Sequence, residues 1–225
     1  MHAAFFDMDH TVLAVNSGTE WMRFLRRRGE ITRLGMVRAL SWAIRYRLGV
    51  LDLPTLARRL VEPLRGQAED AMRDLCHAWV EDEIRATIVR RGLEVLATHR
   101  AAGERCVLLT SSTPYVAIPV ARALGIDDVL CSRLEVEAGR FTGRLVEPIC
   151  YGEGKVSLAE TWARDQGIAL EGSTFYTDSV ADLPMLERVG RPVAVDPDPR
   201  LARIAARRRW PIERWARHGT VGAKR

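Results

Sequence analysis

Lysine is almost missing from this chain of 225 residues: Lys+Arg total 34, yet only Lys155 and Lys224 are lysines. Cysteine is scarce too, with Cys76, Cys106, Cys131 and Cys150 showing neither metal-ligand spacing nor a disulfide framework. The histidines (His2, His10, His77, His99, His218) form no close pair, so a zinc centre is not expected. No run reaches the roughly 18 apolar residues of a membrane span. The opening Met-His-Ala-Ala lacks the basic region and apolar run of a leader, and the expectation is a soluble, cytoplasmic protein. The formal charge of +5 is carried by scattered arginines without an aromatic-interleaved basic stripe. That balance suits a small anionic partner and gives no reason to expect nucleic acid. It leaves the oligomeric state open.

Against these absences, acids are concentrated where strands should end. Ala4-Phe5-Phe6-Asp7-Met8-Asp9-His10-Thr11 places two carboxylates two positions apart, directly after an apolar run. If Ala4 to Phe6 form a buried parallel strand, Asp7 leaves its carboxyl end, where open α/β sheets hold their ligands. Asp9 falls on the same side if the chain stays extended. Like charges this close repel unless a cation or a proton intervenes, which points to a divalent metal, an acid/base function or both, the other reading being two solvated turn aspartates at a strand end. Thr174-Phe175-Tyr176-Thr177-Asp178-Ser179-Val180-Ala181-Asp182 repeats the pattern, a β-rich run emptying into Asp178 with Asp182 four residues on. Oxygen donors of this kind suit a hard cation such as Mg²⁺.

Two further stretches fit an anion. Cys106-Val107-Leu108-Leu109-Thr110-Ser111-Ser112-Thr113-Pro114 is an apolar strand ending in hydroxyls, able either to cradle phosphate or to cap a helix starting near Pro114. Lys155, in Tyr151-Gly152-Glu153-Gly154-Lys155, follows two glycines and opens an amphipathic helix. In a chain that otherwise uses arginine, a compact ammonium at this point suits a metal and a phosphoryl group.

Together and in this order, these segments resemble the haloacid dehalogenase (HAD) superfamily, and within it the phosphoserine-phosphatase-like branch, subfamily IB. The resemblance implies that Asp7 is the nucleophile and that Asp9 is the general acid and then the base. It implies Mg²⁺ as cofactor, held by Asp7, the Asp9 carbonyl and Asp178, with Asp182 supporting from behind. Thr110 with the Ser111 N–H, and Ser112 beside them, would hold phosphate, and Lys155 would offset the charge. The implied activity is hydrolysis of a small phosphomonoester through an aspartyl-phosphate, with phosphoserine-like compounds or histidinol phosphate as candidates. A phosphomutase or phosphotransferase, or a non-catalytic phosphate-ester binding module, is the alternative. Phosphoserine phosphatases of this branch carry a glutamate nine residues after the nucleophile for the substrate's ammonium. Here that position is Asn16, with Glu20 one helical turn further on.

The expected architecture is α/β, a Rossmann-like three-layer sandwich with a parallel sheet and an inserted α-helical cap. Residues 1–13 and 91–199 form the expected core, and 200–225 a basic C-terminal helix or tail. Val193-Ala194-Val195 reads as the last strand, and the Glu-Ala-Gly-Arg-Phe-Thr-Gly run near Gly139 as a hairpin. Between 14 and 90, apolar residues recur at helical spacing: Trp21, Phe24 and Leu25; Leu34, Val37, Leu40, Ala43 and Ile44; Leu56, Leu60 and Val61; Met72, Leu75, Trp79 and Val80. This segment is the expected cap.

Overall fold

The computed structural model describes residues 1–30 and 59–222. The expected cap positions Leu34, Val37, Leu40, Ala43, Ile44 and Leu56 lie outside them.

Strand β1 (Ala3–Phe6) has no exposed residue, and it alternates between two cores. Ala4 and Phe6 join one apolar cluster, Ala3 and Phe5 the other. Each buried phenylalanine contributes about 1.5–3 kcal/mol, so the two layers together clamp the strand that leads into Asp7. The other sheet strands are β2 (Arg105–Thr110), β3 (Asp128–Cys131), β6 (Thr174–Thr177), β7 (Arg191–Val195) and β8 (Ile212–Glu213). They line up as β3-β2-β1-β6-β7-β8, parallel throughout. Strand order reverses at β1, with β2 on one side and β6 on the other. Open sheets of this kind leave a ligand crevice at such a switch point, outside the carboxyl ends of the strands.

Helix α1 (Ser17–Arg27) follows β1, and the chain reaches β2 through α2 (Glu69–Trp79) and α3 (Arg90–Ala101). Trp21 and Phe24 of α1 stack at 5.3 Å, and Trp21 meets Trp79 of α2 at 5.0 Å. Leu60, expected in the same apolar core, is 47% exposed. Helix α4 (Pro114–Leu124) joins β2 to β3, with Pro114 at its first turn, where a missing N–H costs nothing. The expected hairpin is present as β4 (Arg133–Glu137) and β5 (Arg140–Val146), turning through Ala138 and Gly139, both at positive φ. Helix α5 (Glu153–Asp165) leads into β6, the short α6 (Leu183–Arg188) into β7, and α7 (Pro199–Arg208) into β8.

Val193–Val195 is therefore not the last strand. Residues beyond 199 bury Leu201 and Ala205 and then add β8 beside β7, with Trp215 only 1% exposed. A two-residue strand carries no readable alternation, and its pairing is set by tertiary contact, which sequence periodicity does not register.

Candidate active site

The loops after β1, β2 and β6 bring the acids, the hydroxyls and Lys155 to one edge of the sheet. Asp7 follows Phe6 in extended backbone, and its N–H donates to the Tyr176 carbonyl of β6 at 2.9 Å. Asp9 is also extended, and His10 then turns into the left-handed region at φ 55°, allowing the loop to close with Leu13 N–H on the Met8 carbonyl at 2.9 Å. The hydroxyl of Thr11 is buried and, among the described residues, lacks a hydrogen-bond partner.

Lys155 ties the two acid-bearing loops together. Its Nζ donates to Asp7 Oδ1 and to Asp182 Oδ2, both at 2.7 Å, and the side chain is 3% exposed. The Thr177 hydroxyl donates to the same Asp182 oxygen at 2.7 Å. Lys155 reaches this point because α5 approaches so closely: a Cβ on Gly154 would lie 1.8 Å from the Ile149 carbonyl oxygen, so only glycine fits. Burial alone would lower the lysine's pKa, but Asp182 and Asp7 outweigh it and hold the ammonium above its ordinary value.

The carboxylates move the other way. Burial, together with repulsion from Asp182 and Asp9, raises Asp7 to about 7 despite the lysine. Asp178 rises to about 8 through burial and repulsion from Asp7 and Asp182. Asp9 is also raised, chiefly by burial, against hydrogen bonds from Ser17. Its Oδ1 accepts the Ser17 N–H at 2.9 Å and its Oδ2 accepts from Asn16 Nδ2 at 3.1 Å. Lys155 holds Asp7 and Asp182 directly, and its charge also acts on Asp9 and Asp178, so one ammonium faces the charge of four acids. An edge short of positive charge in this way fits a divalent cation. Among the described residues no three His, Cys, Asp or Glu side chains converge as a ready-made cage. The donors available here, carboxylate and backbone carbonyl oxygens, suit Mg²⁺, which takes one or two carboxylates and keeps waters and substrate oxygens as its other ligands.

Thr110 ends β2, 2% exposed, and its Oγ1 accepts the Ser112 N–H at 3.2 Å. Ser111 is exposed, and the Ser112 carbonyl accepts from Ser132 N–H at 3.0 Å, fixing the loop. Two residues expected to face substrate are already engaged. Asn16 caps α1 and holds Asp9, while Glu20 pairs with Arg23 on its own helix.

Asp198 was not singled out by the sequence reading. Its Oδ2 accepts Val180 N–H at 2.6 Å, its Oδ1 caps α7 through Arg200 and Leu201, and its N–H donates to the Asp178 carbonyl at 2.8 Å. One side chain thereby anchors the Asp178–Asp182 loop. The available signal was Asp before Pro at a helix start, which shows the cap but not the loop across from it.

The profile of haloacid dehalogenase-like hydrolases matches residues 4–187. The chain belongs to that family. Among HAD relatives it is similar to a histidinol-phosphatase of Neisseria meningitidis, 28% identical over 93% of this chain and 96% of the relative. It is also similar to a phosphoserine phosphatase of Mycobacterium tuberculosis, 34% identical over 93% of this chain and 70% of the relative. A crystal structure of a Bordetella pertussis protein of unknown function superimposes with TM-score 0.88 at 33% identity, covering 95% of this chain and 98% of that one. The protein is a HAD hydrolase of the phosphoserine-phosphatase-like kind, a phosphoric monoester hydrolase. Among the described residues no helix is long and apolar enough to cross a membrane.

Proposed function

We propose that the protein is a Mg²⁺-dependent phosphatase of small phosphate monoesters that works through an aspartyl-phosphate on Asp7. The observation that carries this reading is the Lys155 bridge between Asp7 and Asp182 at the switch point of the sheet. It leaves Asp7 Oδ2 unclaimed by the lysine and keeps the ammonium beside the point where a phosphoryl group would arrive. When bound, Mg²⁺ would be held by Asp7, the Asp9 carbonyl and Asp178, and it would offset charge on the transferring phosphoryl group.

In this reading Asp7 attacks phosphorus while Asp9 gives a proton to the leaving alkoxide. Asp9 then takes a proton from the water that hydrolyses the aspartyl-phosphate, so one hard step becomes two easier ones. Thr110 and the Ser111 N–H hold phosphate oxygens, and Lys155 offsets their charge. Thr110's own O–H has no acceptor among the described residues, which supports that role. The segment after β1 that begins with α1 would serve as a cap that excludes water from this edge. The substrate is a small phosphomonoester, with phosphoserine-like compounds and histidinol phosphate as candidates, supported by the activities in the names of the two HAD relatives.

The test is phosphate release, with Mg²⁺, across phosphoserine, histidinol phosphate, sugar phosphates and lysophosphatidate, with Asp7→Asn as control. The expected result is selective release that the substitution abolishes, with ³²P retained on wild-type protein after an acid quench. Release that survives Asp7→Asn would sink the reading.

A further inference from the structure

We propose that Asn16 is a positioning residue for Asp9 and does not contact substrate, a proposal that rests on the acid and base reading of Asp9 given above. The orientation of the Asn16 amide is not free. Its Oδ1 accepts both the Thr19 N–H at 2.9 Å and the Thr19 hydroxyl at 3.0 Å, which commits the oxygen to the start of α1. The amide nitrogen must then point the other way, and it donates to Asp9 Oδ2 at 3.1 Å. The neighbouring Ser17 N–H takes Oδ1 at 2.9 Å.

Both oxygens of Asp9 are therefore held by the first two residues at the start of α1. The Ser17 hydroxyl adds a third bond to the same carboxylate, and of the roughly four acceptor positions of an ionised carboxylate one stays open for a proton or a leaving group. A carboxylate so held can pass a proton to a leaving group and later receive one from water without swinging between two rotamers. The same bonds make the seating of α1 and the aiming of Asp9 one event. Asp9 stands two residues beyond Asp7 on a loop with a left-handed residue next to it, so nothing in its own backbone fixes its side chain. Ser17 and Asn16 supply that constraint from outside, and the Asn16 amide holds Oδ2.

Capping and positioning can be separated. Ser and Asp are N-caps as good as Asn, so Asn16→Ser and Asn16→Asp keep α1 started, but neither can donate an amide N–H to Asp9. The assays are steady-state turnover of an alkyl phosphomonoester and stopped-flow turnover of p-nitrophenyl phosphate, whose leaving group departs without a proton. The expected result for both variants is a kcat on the alkyl ester lower by roughly 10–100-fold, the effect of misplacing a catalytic group by about 1 Å, with KM nearly unchanged. With p-nitrophenyl phosphate, a first-turnover burst of nitrophenolate persists while the steady state slows, because only the water step needs Asp9. A raised KM with kcat retained would mark Asn16 as a substrate contact and overturn the proposal, as would wild-type kinetics. Asp9→Asn in the same assays keeps the two readings apart. If it turns over the alkyl ester normally, the assignment of Asp9 fails; if it is inactive and the Asn16 variants are not impaired, only the positioning role fails.

Discussion

The two edges of the central sheet handle charge in opposite ways. At the edge where the strands begin, acids and bases are matched: Glu104 pairs with His99 and Arg191, and Arg105 with Asp128. At the edge where the strands end, Asp7 and Asp182 share Lys155, while Asp9 and Asp178 have no ion pair among the described residues. Desolvation is costly at both, yet only one is left unbalanced. Of the matched pairs, the more solvent-facing Arg105–Asp128 adds little to stability. An uncompensated cluster such as that at the second edge costs stability, and on the proposed reading a cation and an anionic substrate complete the balance there.

The comparison can be broken in several ways. Asp7→Asn has the largest expected effect, lowering phosphate release by about 10⁴-fold or more, since on the proposed mechanism it removes the attacking group; quench-flow phosphate assays check it. Lys155→Met comes next. It leaves Asp7 and Asp182 buried without their counter-charge and is expected to cost about 3–5 kcal/mol in urea unfolding as well as most of the activity. Gly154→Ala tests the lysine's position rather than its presence. The added methyl would drive α5 off the Ile149 carbonyl, and kcat should fall by roughly 10²-fold while Lys155 remains.

Opposite pH slopes should separate the edges. In metal-free protein Asp7 and Asp178 are raised to about 7 and about 8, above their unfolded values. The folded state binds more protons than the unfolded one between roughly pH 4 and 8, so stability falls as pH rises through that window. Thermal melts should show this fall, with Mg²⁺ restoring most stability at the upper end. Glu104 runs the other way. Burial tends to raise its pKa, but hydrogen bonds from Arg191 and His99 win and lower it, so its contribution is present above the usual carboxylate range and lost on acidification. Glu104→Gln is expected to cost about 1 kcal/mol or less and to leave turnover intact. A larger loss of activity would end the division between the edges.

Much of the charged edge was legible because strands announce their ends. Ala4 to Phe6 and Thr174 to Thr177 are apolar or β-rich runs that empty into acids, and both are fully buried strands in the structure. Lys155 stood out because the chain otherwise uses arginine. What escaped notice depends on contacts between distant residues. Asp198 reads as a plain helix cap until the Val180 N–H is seen across from it, and Asn16 reads as a substrate position until its amide is seen committed to Thr19. Strand β8 is too short for periodicity to detect. Local patterns gave the chemistry, whereas the hydrogen bonds that aim it are tertiary.

The bond from Lys155 to Asp7 spans 148 positions of chain. During synthesis, domains generally fold from the N-terminus as the chain emerges, so β1 and β2 appear long before β6 can dock beside β1. Until that docking, Asp7 has neither Asp178 nor Asp182 near it, because both lie on the loop that follows β6, and the early half of the protein is chemically mute. Closing the sheet and switching on the chemistry are then the same step in folding. Under this order a nascent chain cannot hydrolyse phosphate esters before it is structurally finished, and recovery of turnover during refolding becomes a direct clock for the pairing of β1 with β6.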